Sequence, residues 1–385
     1  MTIIPYGKQF IDNDDIKLVS KSLKQNLITT GNFVKKFENK ISTLLKVKYA
    51  LSCSSGTAAL HLAYEAIKLK KNDIVVMPAI NFIAAYSMAK KLGARVILAD
   101  VDPDTGQMTP ETLINTIKKN KIKRIKAIVT MYLGGYPENV YEFYKIKKKF
   151  KSYLIEDACH ALGAKYEFNK KNISVGSCKH SDICTFSMHP VKTITSGEGG
   201  IITTNKIGLY KRILLLRSHG IVKKNHWSYE VKSEGYNYRL SDINCALAIS
   251  QLIKITKFIN FRKKIFNFYN KNLVDNYFIN PSKFKNIKFS SFHLFIIKIN
   301  FDMLKENKDF LIDYMLKKKI ILQFHYKPIF LFKDVFKQKF NINDFKGSMK
   351  YYSSFVSLPI FFKLSERQLL NIVKNVKTFI RIYSK

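Results

Sequence analysis

The chain has 385 residues, 46% of them hydrophobic and 24% charged, a globular balance that excludes a disordered chain and is too long for a minimal binding module. Lys and Arg number 66 against 28 Asp and Glu, a net charge of +38 that raises nucleic acid or an anionic membrane as a partner. Only eight of those 66 are Arg, the residue whose planar fork reads bases and phosphates bidentately, so the excess reads as a dispersed, solvated lysine surface with no nucleic-acid or membrane partner expected.

Residues 1–8 carry no apolar targeting stretch, and no uncharged apolar run is long enough to span a bilayer. Residues 33–69 place apolar side chains at helical spacing, interrupted by Ser52-Cys-Ser-Ser-Gly-Thr57. Short strand-like runs follow, each closed by a turn and then a helical stretch: 74–77, 95–99, 125–131, 153–157, 183–187 and 200–204. Such alternation predicts an α/β fold built on a mainly parallel sheet covered on both faces, with ligands at the carboxyl ends of the strands. Beyond residue 254 the texture changes. An amphipathic helix is expected over 258–276, a strand over 293–299, a helix over 305–319, a strand over 320–325 and a helix over 365–383. This divides the chain into a large domain, 1–255 with an N-terminal arm 1–30, and a smaller one, 256–385. The five cysteines form no Cys-x-x-Cys pair and no zinc spacing, which fits reduced thiols in a cytoplasm and no metal site.

Four features can carry chemistry. Lys192 follows the 183–187 strand, beside Pro190 and ahead of a Thr/Ser/Gly turn; a lysine held at such a sheet edge loses hydration, its pKa falls, and it becomes a nucleophile toward carbonyls. Asp157 ends the strand 153–157, where a buried carboxylate needs a cationic partner. Either a protein cation or a protonated pyridine nitrogen would serve. Ser54-Ser-Gly-Thr57 sits between a strand-like segment and a helix over 58–69, as an ordinary Ser/Thr cap or as a phosphate site, and bare Gly56 would let an anion approach the backbone. Phe82 is either a core aromatic or a platform for a flat ring.

In this order and spacing the motifs resemble those of the DegT/DnrJ/EryC1/StrS family of pyridoxal phosphate-dependent sugar aminotransferases, over nearly the whole chain. They are Ser55-Gly-Thr-Ala-Ala-Leu60, Pro78 to Ala84, Asp100-Val-Asp102, Glu156-Asp-Ala-Cys-His-Ala-Leu-Gly163, Phe186-Ser-Met-His-Pro-Val-Lys192, Gly197-Glu-Gly-Gly200, Arg217-Ser-His-Gly220 and Gly235-Tyr-Asn-Tyr-Arg-Leu240. The resemblance implies a fold-type I aminotransferase in which Lys192 bears the cofactor, Asp157 pairs with its ring nitrogen, Gly56, Thr57 and Ser187 hold its phosphate, Ser55 belongs to the same cofactor site, Phe82 stacks on its ring and His160 lies beside it. Asn237 would reach the phosphate in a neighbouring subunit, which implies a homodimer with shared sites. Relatives that lose the lysine are dehydratases; Lys192 argues for transamination. The implied amino donor is L-glutamate and the implied acceptor a UDP-linked 4-keto sugar. Tyr6, Asn26, Leu27, Ile28, Thr29, His325, Tyr326, Lys327 and Pro328 would contact that sugar nucleotide. Another nucleotide 3- or 4-keto sugar, or a cofactor-binding regulator with a basic surface, stays open at this point.

Overall fold

The structure is a computed structural model and describes residues 3–273, 279–281, 284, 287–332 and 340–385. Its centre is a seven-stranded sheet. Chain order gives β1 (Tyr49–Cys53), β2 (Ile74–Pro78), β3 (Arg95–Ala99), β4 (Ala127–Met131) and β5 (Tyr153–Asp157). A hairpin of β6 (Lys165–Phe168) and β7 (Lys171–Ser174) follows, then β8 (Ile183–Ser187) and β9 (Gly200–Thr204). The sheet order is β1-β9-β8-β5-β4-β2-β3. Strands β3, β2, β4, β5 and β8 run parallel, and β9 runs antiparallel to both of its neighbours. The carboxyl ends of β1, β2, β4, β5 and β8 therefore share one edge.

Apolar side chains cover both faces. Val75 and Met77 pack with helices Gly56–Ala66 and Ile83–Lys91 on one side, while Val76 on the other packs with Ile97, Ile128 and Leu154. Helices Asn32–Leu45 and Asp242–Ile253 complete the second face. The expectation of helical spacing through 33–69 needs correction at Tyr49–Cys53, which is an edge strand paired with β9 from Tyr49↔Thr204 to Cys53↔Gly200. A buried ion pair ties this edge down: Glu38 binds Arg217 at 2.6 Å and accepts from the Ser52 N–H at 2.9 Å.

Helix Ile255–Leu273 leads to a three-stranded antiparallel sheet of Ile279–Pro281, Phe295–Ile299 and Phe355–Leu358. Residues 274–276 of the expected helix lie outside the described residues. Helices Lys308–Lys317 and Glu366–Tyr383 pack on this sheet around Ile297, Leu311 and Phe379. The strand expected over 320–325 does not form. That segment borrows two neighbours instead, Ile4 at Ile320 and Ser357 at Gln323. The N-terminal arm is thereby laid beside the smaller sheet, and the Ile360 N–H donates to the Tyr6 carbonyl at 3.1 Å. No helix among the described residues is long and apolar enough to cross a membrane.

Candidate active site

The shared edge of the large sheet and the loops of the smaller one enclose a cleft of about 440 Å³. Each strand end delivers one group. The turn after β1 supplies Ser55, Gly56 and Thr57, the turn after β2 supplies Phe82, and β4 ends on Met131. Asp157 closes β5, Ser187 closes β8, and Lys192 stands on the loop between β8 and β9. That loop is held by its own bonds: the Thr195 hydroxyl donates to the Met188 carbonyl at 3.0 Å, and the Lys192 N–H to the His189 carbonyl at 2.8 Å.

Gly56 is the first residue of helix Gly56–Ala66, and the Ser55 hydroxyl accepts from the Ala58 N–H at 3.0 Å. Cap geometry leaves the N–H groups of Gly56 and Thr57 without partners inside the helix. A Cβ at Gly56 would stand 2.9 Å from the Ser187 Cβ and 3.3 Å from the Cys159 Sγ. The missing side chain therefore keeps a narrow cradle open between the helix start and the end of β8.

Burial sets the acid–base character of the cleft. It raises the Asp157 carboxyl above the usual carboxylate range, against a hydrogen bond from the Cys159 N–H at 3.3 Å and the Lys192 charge. Lys192 moves the other way: burial lowers its amine, and the nearby Cys159 and Asp157 oppose that. Three imidazoles complete the wall. His160 and His293 lie with ring centroids 4.3 Å apart, and His160 and His325 6.0 Å apart. Burial first, then the Lys192 charge, holds His160 and His293 well below the ordinary imidazole value and brings His325 to about 3. His325 is fixed by Ser357, whose hydroxyl oxygen lies 2.9 Å from Nδ1. The Tyr6 ring packs at 5.6 Å from the His325 ring, and Tyr326 at 5.7 Å from Phe82.

Thus the cleft gathers Ser55, Gly56, Thr57, Phe82, Asp157, His160, Ser187, Lys192, Tyr6, His325 and Tyr326. Phe82 is 52% exposed, a platform at the cleft and no core aromatic. The other residues named from the sequence lie elsewhere in the single chain. Asn26 and Leu27 border a separate shallow cavity, and Ile28 and Thr29 are exposed beside the Thr29–Ser241 bridge. Lys327 points outward over the Phe332 ring, and Pro328 is buried ahead of the turn Ile329–Leu331. Asn237 is exposed because its neighbours Tyr236 and Tyr238 both turn inward, stacked at 4.8 Å, to reach Glu65 and His61. Sequence reading missed Cys159, His293 and Gln323. Cys159 and His293 flank readable features, the acidic strand end and the 293–299 strand, yet nothing local aims them at Lys192.

The model of the DegT/DnrJ/EryC1/StrS aminotransferase family matches residues 9–377. The UDP-4-amino-4,6-dideoxy-N-acetyl-β-L-altrosamine transaminase of Campylobacter jejuni is 37% identical, over 93% of this chain and 92% of its own. GDP-perosamine synthase of Escherichia coli is 29% identical over 98% of this chain and 99% of its own. Among solved structures, Helicobacter pylori PseC, an aminotransferase involved in the biosynthesis of pseudoaminic acid, superposes with a TM-score of 0.88 at 29% identity, covering 99% of this chain and 100% of its own. A Streptococcus pneumoniae protein solved in a PLP-form gives 0.89 at 25% identity, covering 99% of both chains. With a family model spanning nearly its whole length, the chain belongs to the DegT/DnrJ/EryC1/StrS aminotransferase family.

Proposed function

We propose that the protein transfers the amino group of L-glutamate to C4 of a UDP-linked 4-keto-6-deoxy-N-acetyl hexose, giving UDP-4-amino-4,6-dideoxy-N-acetyl-β-L-altrosamine, with pyridoxal phosphate as cofactor. The observation that carries the chemistry is the meeting of Lys192 and Asp157 in one cleft with the Gly56 cradle beside them. The choice of sugar rests on the 37% identity to the Campylobacter enzyme.

The donor set fits the cofactor. A helix start with unpaired N–H groups, an adjacent Ser187 hydroxyl and a glycine in place of a side chain suit a phosphate dianion. Asp157, whose burial the Lys192 charge and the Cys159 hydrogen bonds offset only in part, suits a protonated ring nitrogen. When bound, pyridoxal phosphate supplies an electron sink for the carbon that loses its proton. Gly56, Thr57 and Ser187 would hold the phosphate, with Ser55 fixing the turn, and Phe82 and His160 would lie beside the ring. Lys192, its amine pKa lowered by burial, would hold the cofactor and would move the proton at the substrate carbon. Tyr6, His325 and Tyr326 line the mouth where the sugar enters, and the buried imidazoles keep water out.

Residues 1–255 form the cofactor-binding domain and 256–385 the smaller one. Asn237 and the 26–29 segment act on the cleft of a second copy in a homodimer. Their exposure, with Leu27 at 59% and Ile28 at 46%, supports that reading. Mass spectrometry of products from UDP-, GDP- and dTDP-linked 4-keto sugars incubated with glutamate tests the assignment. Amination of the UDP sugar is expected. Amination of the GDP sugar alone would point to a perosamine-type reaction, and no aminated product from any would overturn the function.

A further inference from the structure

His160 stands between two partners that fix the position of its ring proton. The Gly134 backbone N–H reaches His160 Nδ1 at 3.3 Å. A backbone amide can only donate, so Nδ1 must present its lone pair, and in a neutral ring the proton then resides on Nε2. Burial and the Lys192 charge keep the ring neutral. His160 Nε2 lies 2.8 Å from the Tyr326 hydroxyl oxygen, so Nε2–H donates and Tyr326 accepts. The Tyr326 proton is left to point elsewhere. Its hydroxyl belongs to the wall that also holds Phe82 and Lys192, and burial keeps the phenol protonated.

We propose that the chain Gly134 N–H to His160 to Tyr326 makes the Tyr326 hydroxyl a one-way hydrogen-bond donor to an acceptor oxygen of the molecule held over Lys192. His160, acting through Tyr326, is a positioning residue. The inference rests on the function proposed above, which supplies two such oxygens: the phenolic oxygen carried on the cofactor ring and the carbonyl oxygen of the keto sugar. A carbonyl accepts from this donor and an ammonium cannot, so a donor aimed at the sugar would hold the keto substrate in preference to the aminated product.

The test begins with the protein alone. In ¹⁵N-histidine-labelled protein, with His160 assigned by loss of its signal in a His160→Gln variant, long-range proton–nitrogen correlation should give the Nε2–H tautomer. A proton on Nδ1 would overturn the chain whatever the turnover. Tyr326→Phe then deletes only the hydroxyl, and a thermal melt checks that the fold survives. If the oxygen belongs to the cofactor, the absorbance band of the loaded resting enzyme titrates about one pH unit away from the parent's. If it belongs to the sugar, the band stays and KM for the UDP-keto sugar rises about 10-fold with the glutamate half-reaction unchanged. A parent that turns over and a Tyr326→Phe variant that matches it in both readouts would refute the proposal and leave the function standing. A parent with no sugar amination would sink the function, while the tautomer and the band are still read. His160→Gln, which keeps a donor toward Tyr326, should retain more of the parent's behaviour than His160→Leu; equal loss would remove the role of His160.

Discussion

Asp157→Asn removes one charge and keeps the shape, and the structure gives opposite expectations for the empty and the loaded protein. Asp157 is 3% exposed, accepts from the thiol and the N–H of Cys159, and is held above the usual carboxylate range mainly by burial. A folded-state pKa above the unfolded value means that the native protein binds the proton more tightly. Stability is therefore lost as pH rises from about 4 through the raised native value. Above that window the unligated Asn variant should be at least as stable as the parent, and the two should converge in acid. With cofactor bound the sign reverses. Removing one partner of a buried charge pair costs about 3–5 kcal/mol, roughly two to three and a half decades in affinity. Cofactor at about 1,000 times its Kd stabilises the parent by about 4 kcal/mol, and the variant should lose most of that. Thermal melts with and without pyridoxal phosphate, beside an absorbance titration, separate the two effects. A variant less stable than the parent when empty, with cofactor affinity changed less than about threefold, would refute the pairing and make Asp157 a structural carboxylate.

Three further outcomes are expected. Borohydride reduction of loaded protein should attach the cofactor to the peptide containing Lys192, as read by mass spectrometry, and a Lys192→Ala variant that still aminated sugars would end the mechanism. Asp242 is fully buried and accepts from the N–H groups of Gly31, Phe33 and Val34 at 2.7, 2.7 and 3.3 Å, so Asp242→Asn should cost about 2–4 kcal/mol; an unchanged urea midpoint would show that this capping is idle. Inactive Lys192→Ala and Asn237→Ala proteins, mixed and reassorted, should regain about a quarter of parental activity, since each mixed dimer of a shared-site enzyme restores one site; no recovery would place Asn237 outside the neighbour's cleft.

The parallel core was legible because its strands are buried on both faces and read as short apolar runs closed by turns. Ile74–Pro78, Arg95–Ala99, Tyr153–Asp157 and Ile183–Ser187 stand where the sequence puts them, to within a residue. Tyr49–Cys53 was legible only as a strand-like segment ahead of the Ser54 turn, and its partner was not. The strand is short, holds no Val or Ile, and pairs with Gly200–Thr204, far along the chain. Residues 320–325 misled for the converse reason: Ile320, Ile321 and Leu322 look like a strand, yet the available edges belong to different partners at its two ends. The same division runs through the cleft. Lys192, Asp157 and Gly56 are announced by strand ends and turns, features local to the sequence. His293 and Gln323 enter only because the smaller sheet packs over that edge, which no local pattern encodes.

The charge of the chain and the charge of the cleft point in opposite directions, and burial accounts for both. Lysines on the surface stay hydrated, and at physiological salt each is screened beyond about 8 Å. A net +38 can draw in an anionic cofactor or nucleotide sugar from a distance, but it sets no geometry. Inside the cleft, desolvation favours the neutral form of the buried groups: the Lys192 amine is lowered, the Asp157 carboxyl is raised, and His160, His293 and His325 are held unprotonated. A charge that a ligand brings would arrive among partners that water screens little. A phosphate dianion at the start of helix Gly56–Ala66 would meet N–H groups that the helix itself does not satisfy, and a ring cation at Asp157 would stabilise a carboxylate that burial disfavours. Selectivity in such a site comes from a few directed groups, Lys192, Asp157 and the Tyr326 hydroxyl among them, and not from the lysines that give the surface its charge.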